Sequence, residues 1–181
     1  AAGGPAMMRA AAKAASEAAK AHNVARPLVI AVTVLTSLDA VDLDFCIVAM
    51  PYTLLDQETL DEEFPLCQER DVRIVIGAVF ASGILVSGPV EGARYAYDTA
   101  APEILDKTRR LQEVCQRHDV PLPAAAMQFP LGHPLVSAII PGAIEPGHIE
   151  TNAEWFKHQI PADLWTELKT EGLLREDAPT P

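Results

Sequence analysis

The residues able to do chemistry are few and scattered along the chain. His118, His133, His148 and His158 lack metal-ligand spacing, so solvated or capping roles are expected of them and no metal site is assigned. The cysteines Cys46, Cys67 and Cys115 form no Cys-x-x-Cys pair, which argues against both a disulfide framework and a zinc site. Cys46 falls inside an apolar run and is expected to be buried and inert. Asp61-Glu62-Glu63 reads as a solvated helix face rather than as paired carboxylates for acid–base work. Thr36-Ser37 closes an apolar run and suits the cap of a turn. Ser82-Gly83 also follows an apolar run, where small residues and backbone N–H groups suit an anion; the alternative is an ordinary turn out of a strand. Trp155, Phe156 and Trp165 are expected to pack terminal helices against a sheet.

The elements that would position these residues follow from composition and periodicity. Met7–Lys20 is rich in Ala, Lys and Glu, strong helix formers, after the punctuation of Gly3-Gly4-Pro5. Leu28–Leu35, Phe45–Met50 and Arg73–Phe80 are continuous apolar runs of the kind that a strand buried on both faces presents. Val136–Ile140 is a fourth. Between and after them, helices are expected over Gln57–Arg70 (kinked or split by Pro65), Pro102–His118, Ala124–Gly132, His148–Phe156 and Pro161–Leu174. Leu85–Ala101 reads as a loop, and the Pro-rich tail after Arg175 as frayed.

Strands alternating with helices mean βαβ units and a parallel sheet. The fold class is therefore α/β. The one departure is the stretch from Thr36 to Asp44, too short for a right-handed parallel crossover of about a dozen residues, and it is the best candidate for a junction.

The chain has 181 residues, a formal net charge of −11 and 49% hydrophobic residues. That apolar fraction excludes global disorder. The negative balance argues against duplex nucleic acid or an anionic membrane surface as partner. Apolar runs stop well short of about 18 residues, so no membrane span is expected. Scattered cysteines make a reduced, cytoplasmic setting the default. The chain opens on Ala1-Ala-Gly-Gly without an initiator Met, which reads as a fragment or an artificial chain.

Residues 44–181 resemble the C-terminal part of an aldo-keto reductase of the aldose- and fucose-oxidising branch. The resemblance is carried by Asp44-Phe-Cys-Ile-Val-Ala-Met-Pro-Tyr-Thr-Leu-Leu-Asp-Gln57, Ile76-Gly-Ala-Val-Phe-Ala-Ser-Gly-Ile-Leu85, Ile139-Ile-Pro-Gly-Ala143 with Thr151-Asn152, and Leu164-Trp-Thr-Glu-Leu-Lys-Thr-Glu-Gly-Leu-Leu174. It implies a partial (β/α)₈ TIM barrel, with these segments as strands six to eight and their helices. A complete barrel of about 250 residues does not fit.

Residues 1–43 resemble another barrel, orotidine 5′-phosphate decarboxylase around its fourth helix and fifth strand. Ala2-Gly-Gly-Pro-Ala-Met-Met8 and Pro27-Leu-Val-Ile-Ala-Val-Thr-Val-Leu-Thr-Ser37 carry that likeness. The two resemblances together imply a composite of about strands five to eight, either recombined or artificial, with a structural role as the alternative to catalysis. Thr36 and Ser37 resemble positions near the pyrimidine ring, but the decarboxylase Asp/Lys cluster has no counterpart, so pyrimidine chemistry is not expected.

The aldo-keto resemblance implies a nicotinamide-dependent oxidoreductase of aldoses or aldehydes. Its catalytic Tyr, Lys, Asp and His come from the family's N-terminal half. Tyr52, Tyr95 and Tyr97 match none of that context, so no catalytic residue is assigned and the chain alone is expected to be inactive. For the cofactor, the resemblance implies that Phe80 stacks on the nicotinamide, with a core aromatic as the alternative. It places Ser82 and Gly83 near the pyrophosphate. Gly142 and Ala143 lie in a Pro141-Gly-Ala-Ile string that replaces the family's Pro-Lys-Ser type, His148 stands where an Arg often does, and Asn152 matches an adenine contact. Without Lys or Arg for a 2′-phosphate, NAD is expected over NADP. The partners expected are a small-molecule substrate and a second copy of the chain, since an open four-stranded sheet leaves bare edges.

Overall fold

The computed structural model describes residues 43–181 together with the backbone of residues 29–31. The expected helix Met7–Lys20, most of the expected strand Leu28–Leu35, Thr36-Ser37 and all of the suspected junction but Leu43-Asp44 lie outside the described residues.

Four strands form one parallel sheet in the order β1 (Val29–Ala31), β2 (Phe45–Ala49), β3 (Arg73–Gly77), β6 (Val136–Ile140). Cys46 faces Ile74 across the β2–β3 ladder and Val48 faces Ile76. All four of those side chains are buried, on the sheet face that the helices cover. A bulge shifts the β3–β6 register after Ile74, so that Val75 faces Ala138 and Gly77 faces Ile140.

The helical layer comprises α1 (Glu63–Glu69), α2 (Ile84–Ser87), α3 (Pro102–Arg117), α4 (Leu122–Gln128), α5 (Pro146–Lys157) and α6 (Ala162–Thr170). On α3, Thr108, Leu111 and Cys115 recur at i, i+3 and i+7 and are fully buried, with Val114 beside them. Burial of each large apolar side chain of this kind contributes about 1.5–3 kcal/mol. At its far end α3 is tied to α6 by ion pairs from Arg117 to Glu167 and Glu171 and by contact of His118 with Glu167. Such exposed pairs contribute about 1 kcal/mol or less each, so the apolar seam is the stronger link.

Several expectations are corrected. The helix expected over Gln57–Arg70 is split into a 3₁₀ turn (Glu58–Leu60) and α1, and the break precedes Pro65. Pro65 is the third residue of α1, where a missing N–H costs nothing because first-turn N–H groups have no intrahelical acceptor. The third strand stops at Gly77 rather than Phe80, because Ala78 takes φ = 54° and leaves the ladder.

The loop expected over Leu85–Ala101 holds α2 and a hairpin, β4 (Arg94–Tyr95) with β5 (Asp98–Thr99). Its turn residues Ala96 and Tyr97 have φ of 51° and 67° without a glycine, so the usual hairpin signal is missing from the sequence. Pro161 caps α6 instead of sitting in its first turn. Phe156 is half-exposed and does not pack against the sheet, whereas Trp165 is buried. Cys46, Cys67 and Cys115 are buried free thiols.

The tail is not frayed. Leu173, Leu174 and Ala178 are buried, the Arg175 N–H donates to Gln57 Oε1 at 3.3 Å, and the Arg175 guanidinium bonds Asp61 at 2.7 Å and Asp177 at 2.9 Å. Asp61, expected on a solvated face, is thus one end of the clamp that holds the tail.

Candidate functional site

A cavity of about 540 Å³ opens beyond the carboxyl ends of β3 and β6, the end of a parallel α/β sheet where ligands bind. The backbone there is unusual. Met50, Ala78, Ala81 and Ser82 have φ of 83°, 54°, 48° and 60° although none is glycine. Each such conformation costs roughly 1–2 kcal/mol.

All seven residues singled out from the sequence meet at this cavity. Phe80, Ser82 and Gly83 line one wall, and Gly142, Ala143, His148 and Asn152 line the other. Phe80 is buried, and its ring meets Trp155 edge to face with centroids 5.9 Å apart. Asn152 is buried and its Nδ2 donates to the Gly142 carbonyl at 3.2 Å, which fixes the loop after β6 against α5. The Ile144 N–H donates to His148 Nδ1 at 3.2 Å, so the ring proton of the neutral imidazole lies on Nε2.

The Ser82-Gly83 turn is less free than its composition suggests. The N–H groups of Ala81, Gly83 and Leu85 donate to the carbonyls of Ala78 and Phe80. The Ser82 hydroxyl accepts the Tyr97 N–H at 3.2 Å and lies 3.9 Å from Met50 Sδ. Hairpin β4–β5 is thereby tethered to the cavity wall.

Trp155, read from the sequence as a packing residue, is part of the lining. It stands three positions after Asn152 on α5, so helical spacing puts the two on one face, and that was the available signal. Ala78, Val86, Ile144 and Thr151 were not singled out and also line the cavity. Nothing in their types marks them.

The cavity has the dimensions and lining of a small-molecule site. Its volume lies within the roughly 300–1,000 Å³ of ligand sites. A side-chain carbon on Gly83, Gly142 or Gly147 would meet nothing within 4 Å, so open space lies in front of these backbones. The aromatic wall suits a flat ring, and the residues to hold it would be Phe80, Trp155, His148 and Asn152. Among the described residues no group of three or more His, Cys, Asp or Glu could hold a metal ion, and no helix is long and apolar enough to cross a membrane.

Residues 14–170 match the model of the aldo/keto reductase family. Among curated proteins, the chain is 44% identical over 138 residues to pyridoxal 4-dehydrogenase of Microbacterium luteolum, covering 76% of this chain and 40% of that protein. It is 43% identical over 141 residues to D-threo-aldose 1-dehydrogenase of a Pseudomonas species, covering 77% and 42%. The chain thus spans about two fifths of the length of these relatives.

Among solved structures, the holo form of an aldo-keto reductase from Bacillus halodurans superposes with a TM-score of 0.66 at 23% identity, over 86% of this chain and 53% of that one. An aldo/keto reductase from Klebsiella pneumoniae, solved with NADP and acetate, does so with 0.59 at 12% identity, over 96% and 55%. These show the fold, the α/β barrel of that family, of which the described residues form a part. The family match crosses residue 43 and takes in most of the segment expected to resemble a decarboxylase, for which the comparisons offer no support. By the extent of that match and by its relatives, the chain belongs to the aldo/keto reductase family.

Proposed function

We propose that the chain is the cofactor-holding portion of a nicotinamide-dependent oxidoreductase acting on aldoses or related aldehydes. The observation that carries the reading is the convergence of Phe80, Ser82, Gly83, Gly142, Ala143, His148 and Asn152 on one cavity at the carboxyl ends of the strands. The bound dinucleotide supplies a hydride acceptor or donor. The protein's part is to hold and orient it: Phe80 and Trp155 offer an apolar wall, and Asn152 keeps the β6–α5 loop in place. The names of the two curated relatives, a pyridoxal and an aldose dehydrogenase, support substrates at the aldehyde level.

The chain's tyrosines give no support to an acid catalyst at this cavity. Tyr52 is fully buried among Phe64, Phe129 and His133, and neither Tyr95 nor Tyr97 is part of the lining. The chain alone is therefore expected to bind dinucleotide and to turn over little or no substrate. NAD is preferred to NADP, since no Lys or Arg among the described residues lines the cavity to pair with a 2′-phosphate.

Fluorescence titration with NADH and NADPH tests the binding, and an assay with an aldose and NAD⁺ tests the turnover. NADH is expected to bind and NADPH to bind more weakly. Tighter binding of NADPH would overturn the preference, and no binding of either would overturn the reading.

A further inference from the structure

We infer that the sheet face left bare by the helices, together with the outer edge of β6, docks a second copy of this chain. The two copies meet about a two-fold axis parallel to their strands, with β6 of each beside β1 of the other. Eight parallel strands then enclose one barrel. The inference rests on the fold and stands apart from the dinucleotide reading above.

Side chains alternate between the two faces of a strand. Cys46, Val48, Ile74 and Ile76 face the helices, so Phe45 and Ile47 of β2 and Val75 of β3 lie on the other face. Beyond the bulge, Ala138 and Ile140 of β6 extend that face, opposite Val75 and Gly77. Phe45, Ala138 and Ile140 are exposed there. On these three strands the face carries one charge, that of Arg73, whose Nε donates to Ser137 Oγ at 3.1 Å. A sheet face that meets water alternates polar residues into its strands, whereas parallel sheets are covered on both faces.

The helix that follows β6 is bare in the same way. Ile149, Ala153 and Phe156 recur at i, i+4 and i+7 on α5 and are exposed. Asn152 and Trp155, which line the cavity, stand on a different stripe of that helix. Exposed apolar surface on both the edge strand and its helix is the mark of an interaction site.

The edges decide what covers this surface. The sheet runs β1-β2-β3-β6, and among the described residues neither β1 nor β6 has a strand on its outer side. A helix laid across the face leaves both edges unpaired, and unpaired edges recruit another strand. The occupant must bring an apolar sheet face, a parallel edge for β6 and a second one for β1. A second copy of this chain brings all three. A two-fold axis along the strands sets β6 against β1 twice, keeps every strand parallel and leaves no edge. Eight is also the strand number of the barrel whose fold the chain shares. No carboxylate stands on the bare face of β2, β3 or β6, so the net charge of −11 is not concentrated where the copies meet.

The test is the solution mass of the full chain by sedimentation velocity, from about 1 to 100 μM and without added nucleotide, since assembly depends on chain concentration. A closed pair of twice the 19.5 kDa chain mass is expected. Ala138→Asp puts a carboxylate on the enclosed face and is expected to weaken association at least about a hundredfold. Phe156→Asp changes only the exposed stripe of α5 and is expected to weaken it about tenfold. Near-ultraviolet circular dichroism reports the fold of each variant. A chain that stays at 19.5 kDa over the whole range overturns the inference. So does a mass that climbs past two copies without limit, as open edges would produce. A pair that survives Ala138→Asp also overturns it, because a ribbon joined edge to edge through β6 leaves Ala138 in water. Where Ala138→Asp does not fold, an undiminished pair in Phe156→Asp overturns it instead. A pair that forms but binds no NADH leaves this inference standing and overturns the dinucleotide reading alone.

Discussion

The carbonyl carbon of Thr180 lies 2.5 Å from the point where a side-chain carbon on Gly132 would stand, and the Thr180 Cα lies 2.6 Å from it. Backbone, not a flexible side-chain end, fills the space, so the tail is packed onto the turn before β6. A Gly132→Ala substitution must push the tail away or move the turn. The expected loss is about 1–3 kcal/mol, read as a lower urea midpoint. Gly142→Ala, where nothing lies within 4 Å, is the matched control and is expected to leave the midpoint unchanged. Equal midpoints for the two variants would refute the packed tail.

Phe80 faces Trp155 edge to face at the cavity. Phe80→Leu keeps most of the volume and removes the ring. NADH affinity is expected to fall by about threefold to tenfold, which corresponds to the roughly 0.5–1.5 kcal/mol of such an aromatic pair. Undiminished NADH binding in a titration would show that this wall does not hold the ligand.

The Tyr52 hydroxyl is buried with no hydrogen-bond partner, and burial pushes its phenol pKa up. A buried polar group left unpaired costs about 1–3 kcal/mol, while the ring itself is well packed, 4.6 Å from Phe64 and 5.2 Å from Phe129 between centroids. Tyr52→Phe removes the cost and keeps the ring. Stability is expected to hold or to rise by about 1 kcal/mol, measured by denaturant unfolding, and a clear loss would mean that the hydroxyl is bonded in solution.

Burial lowers the pKa of His133, whose ring packs against Phe64 at 4.7 Å. The unfolded chain takes up this proton near pH 6.5 and the folded one only at lower pH, so the stability involved is complete above about pH 6.5 and declines as pH falls through that value. His133 Nδ1 accepts the Leu135 N–H at 3.2 Å, a role that the amide oxygen of asparagine can take. His133→Asn is expected to flatten the decline in unfolding midpoint between about pH 7 and 5. Glu167, its pKa lowered by His118 and Arg117, loses its contribution at more acidic pH and does not interfere. An unchanged slope in the variant would exclude His133 as its source.

The sequence by itself marked the strands β2, β3 and β6 and the long helix α3, because continuous apolar runs favour strands and an amphipathic helix must repeat every three to four residues; it did not mark that β2 and β6 are not buried on both faces, with Phe45 and Ile140 exposed. The resemblance of residues 44–181 pointed to the family and to Phe80, Ser82, Gly83, Gly142, Ala143, His148 and Asn152, whereas the second resemblance, of residues 1–43 to a decarboxylase, has no support. Local pattern failed where distant segments decide the outcome. The Ala96-Tyr97 hairpin forms without glycine because the Tyr97 N–H has an acceptor on Ser82, fifteen residues away. The Pro-rich tail is ordered by Gly132, Gln57 and Asp61, none of them near it in the chain. Trp155 becomes a cavity wall only once α5 brings it to Phe80. Composition also suggested open N–H groups at Ser82-Gly83, and the fold engaged the Gly83 N–H with the Phe80 carbonyl. Hydrogen-bond partners and close backbone approach are set by tertiary proximity, which residue type and spacing do not encode.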